Sequence, residues 1–235
     1  FCHLLADWQV IRRPELKDIP FVFVVPDHGR RIVTAVSPQA QMRGIETGMR
    51  AADAKAICPG LQVIDEKPGR TLKLLKALGE WCIRYSPIVA VDEFSSEGLN
   101  MEVSGCPHLW GGEREYLKDI KSHFKAKGYT VRLAIADTLG AAWAISRFGK
   151  ITPLISSGAH VEALLPLPPE ALRLEKATVV KLQKLGFNHV KSFIGMPRSV
   201  LRRRFGESFL LRIAQALGTQ TESINSITLP VDFQE

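Results

Sequence analysis

"VDEFSSEGLNMEVSG", Val91 to Gly105, places four carboxylates within fifteen residues: Asp92, Glu93, Glu97 and Glu102. Apolar residues and turn residues alternate around them. "SPIVAVDEF" (86–94) starts one strand and "GLNMEVSG" (98–105) is another. Carboxylates at a strand end are what a two-metal phosphoryl-transfer site requires. Two Mg²⁺ about 3.5–4 Å apart clamp the attacking and leaving oxygens, and this hard, octahedral ion takes carboxylate oxygens. The plainer alternative is an exposed acidic turn.

Outward from this stretch the pattern is mixed. Thr71 to Arg84 carries Leu72, Leu75, Leu78, Trp81 and Cys82 at helical spacing, which predicts an amphipathic helix. Residues 113–129 predict a helix with Gly128 as its stop. "TVRLAIAD" (130–137) reads as a third strand, followed by a helix over 138–149 capped by Asp137 or Thr138. Helix–strand–strand–helix–strand–helix defines an α+β domain with helices on one face of a sheet. Nearer the start, "FVFVV" (21–25) is a buried strand. It is joined by "DHGRR", with Gly29 at the tip, to a second strand over 31–37, giving a hairpin. Residues 38–60 hold one or two short helices punctuated by Gly44 and Gly48. From Pro166 onward only short helices are predicted, each ending near a glycine.

Charge is unevenly spread. The chain carries +7, and Glu170 to Ile213 alone carries ten basic and three acidic residues, so the remainder sums to zero. A neutral body with one basic segment predicts a polyanionic partner. No apolar run reaches the roughly 18 residues of a membrane span, and the first residues lack the basic region and cleavage site of a signal peptide. The first residue is not Met, so the natural start is expected upstream. Cys2, Cys58, Cys82 and Cys106 form no C-x-x-C pair, which predicts buried reduced thiols rather than a zinc site or disulfide framework.

Five stretches in one order resemble a known family. They are "RRPELKDIPFVFV", "RGIETGMRAADAKAICPGLQVI", "YSPIVAVDEFSSEGLNMEVSGCPHLWGG", "GYTVRLAIADTLGAAWAISRFG" and "LQKLGF…FIGMPRSVLRRRFG". Together they resemble Y-family translesion DNA polymerases of the UmuC/DinB type, nearest to the ImuB branch, over residues 1 to about 228. The resemblance implies an α+β palm from residues 1–4 and 68–157, small fingers over 5–67 and an all-helical thumb over 158–228. A linker would start at 229–235, and the DNA-binding little-finger domain is expected to be absent from this sequence.

The resemblance also fixes where the family's site residues fall. Anchored on "MEVSG", the metal-binding Asp-Glu pair falls at Glu97 and Gly98, which makes Glu97 a weak candidate metal ligand. Asp92 and Glu93 lie five residues too early, with extra length around "EFSSE". The first-strand Asp would lie upstream of Phe1, and its neighbouring acid corresponds to Cys2. The ring that excludes ribonucleotides corresponds to Leu5. The triphosphate-binding Tyr and Arg correspond to Pro38 and Gln41, and the triphosphate-binding Lys to Trp143, read here as a packed core aromatic. Proline cannot donate, and glutamine lacks a bidentate cation. Arg43 and Lys55 are nearby substitutes.

The thumb retains Lys181, Lys184, Lys191, Arg198, Arg202, Arg203 and Arg204 as expected phosphate contacts, while "LRLEK" (172–176) replaces a glycine hairpin. No base-edge reader is evident, so no sequence specificity is expected. The resemblance thus implies a DNA-binding, catalytically degenerate polymerase homologue in damage-induced translesion synthesis, cytoplasmic and nucleoid-associated. Implied partners are the sliding clamp, an error-prone replicative-type polymerase and a RecA-like accessory protein. No bound cofactor is expected. The alternative is an active error-prone polymerase using Mg²⁺ and a shifted set: Asp92 or Glu93, Glu97 or Glu102, and an upstream acid. A basic nucleic-acid module of unrelated fold is the third reading.

Overall fold

The computed structural model describes residues 1–95, 97–150 and 153–227, which form two compact units. The first holds Phe1–Val103, Ile120–Val131 and the described part of Asn225–Glu235; the second holds Ser104–Asp119 and Arg132–Ile224. The expected linker at 229–235 lies outside the described residues.

The first unit begins with helix α1 (Leu4–Arg12), then the hairpin β1 (Phe21–Asp27) and β2 (Arg30–Val36). Its turn is His28–Gly29, both at positive φ, the geometry that a two-residue turn needs to match strand twist. β1 is apolar on both sides because it is covered on both sides. Val22 and Val24 pack with Val33, Ala40, Ile45 and Ala54. Phe21 and Phe23 pack with Leu5, Ala6, Leu16 and Ala35. The first cluster is closed by the short helices α2 (Pro38–Gln41) and α3 (Ala51–Ile57). A strand that the pattern reading missed, β3 (Gln62–Asp65), runs parallel to β1 and completes the order β2-β1-β3. Its four residues are too few to show a period.

Helix α4 (Arg70–Cys82) follows as predicted and buries Leu75, Leu78, Gly79 and Cys82. Leu72 instead stays exposed. The antiparallel pair β4 (Ile88–Val91) and β5 (Leu99–Glu102) comes next. Gly79 is required here. A Cβ on it would sit 2.2 Å from Ile227 Cδ1, and the Ile227 N–H donates to the Val89 carbonyl along the β4 edge. Helix α5 (Glu113–Ala126) ends before Gly128, whose φ of 85° makes the predicted stop. The expected strand over 130–137 is not a regular one. Among the described residues, Ile135 makes an isolated bridge to Leu154, with Pro153 alongside, which has no N–H to extend a ladder.

The second unit is helical among its described residues. It contains α6 (Leu139–Phe148), α7 (His160–Leu164), α8 (Lys176–Lys184), α9 (Arg198–Phe205) and α10 (Glu207–Ala216) around a core that includes Leu182, Phe193, Leu201 and Phe209. Thr138, not Asp137, caps α6. Its hydroxyl accepts from Ala141 N–H and donates to the Ala216 carbonyl, both at 3.0 Å. Asp137 accepts from Gly158 N–H at 2.7 Å, the main reason its carboxyl is held below the usual range, and it also meets His160. Gly140 lets α6 approach α10; a Cβ there would meet Ala216 Cα at 2.9 Å.

Two sequence expectations change. Cys58 and Cys82 are buried, the latter thiol pushed up to about 12 mainly by burial, but Cys2 and Cys106 are partly exposed. Arg173, counted above in the basic segment, is internal: its guanidinium holds both Glu222 carboxylate oxygens at 2.6 and 2.7 Å. The Arg173 side chain is 1% exposed and that of Glu222 13%. Removing Glu222 takes the bidentate carboxylate from a buried guanidinium. Glu222→Ala is expected to lower unfolding free energy by about 3–5 kcal/mol, read from urea melts. Arg173→Met combined with Glu222→Ala should lose less than Glu222→Ala alone.

Candidate functional site

The hairpin register decides what the four carboxylates can do. β4 and β5 pair Ile88 with Glu102 through to Val91 with Leu99. The Asp92 N–H then donates to the Gly98 carbonyl at 2.9 Å, so Asp92 stands directly opposite Gly98. Both the out-of-register pair and the aligned position therefore sit at the same end of one hairpin. In antiparallel pairs, opposed residues share a face. Asp92 occupies the face on which Gly98 offers no side chain.

Asp92 is nonetheless turned to a local task. It is only 4% exposed, not the exposed turn residue expected from sequence, and its Oδ1 accepts from Phe94 N–H at 2.9 Å. This is an Asx-type turn that lets the chain leave β4. Glu93 is exposed and accepts from Asn225 Nδ2 at 2.6 Å. Glu97 is half-buried, and its carbonyl receives the Phe1 nitrogen at 2.7 Å. Cys2 N–H donates to the Thr130 carbonyl at 2.9 Å, so the first residues join the 97–98 turn to residue 130. Glu102 lies at the far end of the hairpin opposite Ile88, which separates it from the other three.

An octahedral Mg²⁺ needs several convergent oxygens. Among the described residues, no three His, Cys, Asp or Glu side chains come together to hold a metal. The described residues do not fit a two-ion site.

The remaining aligned positions lie on α1, α2 and α6. Leu5 on α1 is 3% exposed and belongs to the core under Phe21 and Phe23. Pro38 is the first residue of α2, where its missing N–H costs nothing, and Ser37 caps that helix through Ala40 N–H at 3.2 Å. Gln41 is exposed at the end of α2. Of the nearby cations, Arg43 reaches Cys58 Sγ at 3.0 Å and Lys55 is exposed on α3. Trp143, in the second unit, is not a packed core aromatic. It is half-buried on α6, with the Arg147 guanidinium 4.1 Å from its ring centre.

The cations expected to contact phosphate form an exposed basic surface of the second unit. Lys181 and Lys184 lie on α8, Lys191 follows it, and Arg198, Arg202, Arg203 and Arg204 lie on α9; all seven are exposed. Leu201 anchors α9 in the core and so turns the arginines outward. Arg202 is paired with Glu207 at 2.7 Å, and Lys181 lies 5.2 Å from the Phe205 ring and donates to the Arg204 carbonyl.

Two further cationic clusters escaped charge counting because acids elsewhere cancel them. Arg12 and Arg70 lie 4.6 and 4.7 Å from the Trp8 ring centre. Arg84 and Lys127 lie 4.5 and 4.9 Å from that of Trp81. The signal was present in sequence as Trp8–Arg12 at i,i+4 and Trp81–Arg84 at i,i+3.

A three-stranded mixed sheet, a β-hairpin and a basic helical unit in this order form the Y-family DNA polymerase fold. DinB from Sulfolobus solfataricus superposes with a TM-score of 0.78 at 17% identity, covering 96% of this chain and 67% of that one. An insertion ternary complex of Dbh DNA polymerase gives 0.76, also at 17%, covering 95% of this chain and 67% of that one. The pattern of the impB/mucB/samB family matches residues 1–147. The chain belongs to that family. It is 41% identical over 181 residues to Protein ImuB of Caulobacter vibrioides, covering 77% of this chain and 39% of that protein. It is 30% identical over 213 residues to DNA polymerase IV of Pelotomaculum thermopropionicum, covering 82% and 49%. The chain thus spans between two fifths and half of these relatives. The unrelated-fold reading is excluded by the shared fold. No helix among the described residues is long and apolar enough to cross a membrane.

If Asp92 is a turn-former, its acceptor oxygen matters and its charge does not. Asp92→Asn, which keeps the acceptor oxygen for the Phe94 N–H, is expected to cost less stability than Asp92→Ala. Asp92→Ala should lose about 1–3 kcal/mol by orphaning the Phe94 N–H, measured by chemical denaturation.

Proposed function

We propose that the chain is a DNA-binding homologue of the Y-family polymerases whose nucleotidyl-transfer site is degenerate, and that it acts as an ImuB-type accessory protein in DNA repair and damage-induced translesion synthesis. The observation that carries the reading is the hairpin end. Gly98 supplies no carboxylate at the aligned position, and the opposing Asp92 is buried and committed to the Phe94 N–H. The core position of Leu5 and the capping role around Pro38 support it independently.

On this reading residues 1–4 and 68–157 are the palm, 5–67 the fingers and 158–228 the thumb. The thumb cations of α8 and α9 hold the phosphate backbone of a primer–template or damaged duplex without reading sequence. The protein would be cytoplasmic and nucleoid-associated. Its further partners would be the sliding clamp, an error-prone replicative-type polymerase and a RecA-like accessory protein. No metal cofactor would be needed.

A second reading is favoured by one observation, the opposition of Asp92 to the vacant face of Gly98. A rearranged hairpin could offer Mg²⁺ a shifted set of Asp92 or Glu93 with Glu97 and an upstream acid, and the protein would be an active error-prone polymerase.

Primer extension by the full-length protein with Mg²⁺ or Mn²⁺ separates the two. No extension above background is expected. Extension that is abolished by Glu97→Ala or Asp92→Asn would overturn the accessory reading.

DNA contact is tested by salt dependence. Each neutralised phosphate on duplex DNA contributes roughly 0.9 to the slope of log affinity against log salt. The Arg202→Gln/Arg203→Gln/Arg204→Gln variant is expected to lower that slope by about 2, less than three full contacts because Glu207 already engages Arg202. Unchanged affinity and slope would remove the thumb from the interface.

A further inference from the structure

The two tryptophan clusters of the first unit lie on one helix. Successive residues of an α-helix are 100° apart. Leu75, Leu78, Gly79 and Cys82 are buried and define the inner face of α4. Arg70, Lys73, Ala77 and Trp81 fall on the opposite side, and Arg84 continues that line beyond the helix end. Trp8 and Arg12 of α1 meet the face at Arg70, its N-terminal end. Lys127, after α5, meets it at Trp81, its C-terminal end. Trp81 lies eleven helical steps beyond Arg70, about 16 Å along the axis.

The charge of this face is unanswered within the fold. Arg12, Lys73, Arg84 and Lys127 are exposed and Arg70 is half-buried. Among the described residues none of the five has a carboxylate partner, whereas Arg13, Arg31 and Arg202 each do. Glu80 is the one acid on the flank of this α4 face. Stacking on an indole fixes a cation in place without consuming its N–H donors. Arg84 spends its Nε–H on the Trp81 carbonyl at 2.9 Å, and its terminal nitrogens keep donors for whatever approaches, held at low entropic cost. Tryptophan and arginine in this combination are the residues on which protein interfaces concentrate their binding energy.

We propose that this face is a docking surface for an acidic amphipathic segment of a partner protein, distinct from the basic surface of α8 and α9. Charge complementarity selects an anion, and two features select a protein over a nucleic acid. Single-stranded nucleic acids bind such surfaces by stacking bases on open aromatic rings, but each indole here is already attended by two cations. A phosphodiester backbone also wants cations along its whole track, whereas on this face Lys73 is the one cation between the two clusters, beside half-buried Leu74 and exposed Ala77. Carboxylates concentrated at the two ends, with apolar side chains between them, match that spacing. The inference stands whether or not the hairpin site is catalytic.

The experiment uses the whole protein and a synthetic fluorescent peptide of about four helical turns, with leucines on one face and glutamates on the other, beside a labelled primer–template duplex and a labelled single strand. The peptide should bind, more weakly as salt rises. The Arg12→Gln/Arg70→Gln/Arg84→Gln/Lys127→Gln variant should bind it at least about tenfold more weakly and keep its affinity for DNA. The triple α9 variant should do the reverse. Should the quadruple variant melt below wild type, the pairs Arg12→Gln/Arg70→Gln and Arg84→Gln/Lys127→Gln carry the test, each expected to cost about threefold or more. Failure of the wild type to bind the peptide, equal binding by wild type and the α4-face variants, or loss of peptide binding in the α9 variant would overturn the proposal. So would loss of DNA binding in the quadruple variant, which would make the face a nucleic-acid surface instead.

Discussion

A strand covered on both sides governs the first unit. Phe21 to Val24 have no exposed face, so both layers against β1 must be supplied by chain that is distant in sequence. α1 and Leu16 provide one, α2 and α3 the other. This fixes Leu5 as a core residue before any nucleotide is considered. A side chain that holds α1 against Phe21 and Phe23 cannot also form the open wall of a substrate pocket. The same packing explains why proline is tolerated at 38: α2 needs only one short turn to close the second layer.

Legibility in the sequence followed the physics of each element. β1 and the β1–β2 turn were readable because a continuous apolar run and a His28-Gly29 tip are strong local signals. α4 was readable because its apolar spacing is helical and thirteen residues long. β3 was not, since it owes its state to pairing with β1 rather than to its own pattern. The expected strand at 130–137 failed for the opposite reason: its residues favour extension, but among the described residues its neighbours supply only isolated bonds. Fold family was readable from motif order, because it depends on many weak signals agreeing.

The candidate site was legible only in outline. Alignment put Glu97-Gly98 at the family position, but nothing in the sequence announced that Asp92 would stand opposite Gly98, because register is a property of two strands. Burial of Asp92 was likewise hidden behind its polarity, as was the partly exposed setting of Trp143 behind its size. Net charge misled in both directions. Arg173 counted toward a surface that it does not reach, while Arg12, Arg70, Arg84 and Lys127 were cancelled on paper by acids that lie elsewhere.

The pairing of Asp92 with Gly98 also limits substitution. A carboxylate introduced at position 98 would project onto the same hairpin face as Asp92, and like charges directly opposed across strands are unfavourable. A second acid on this face would therefore be tolerated only with a change at 92, and that change would release the turn that Asp92 holds at Phe94. The end of the hairpin accommodates one carboxylate at the expense of another.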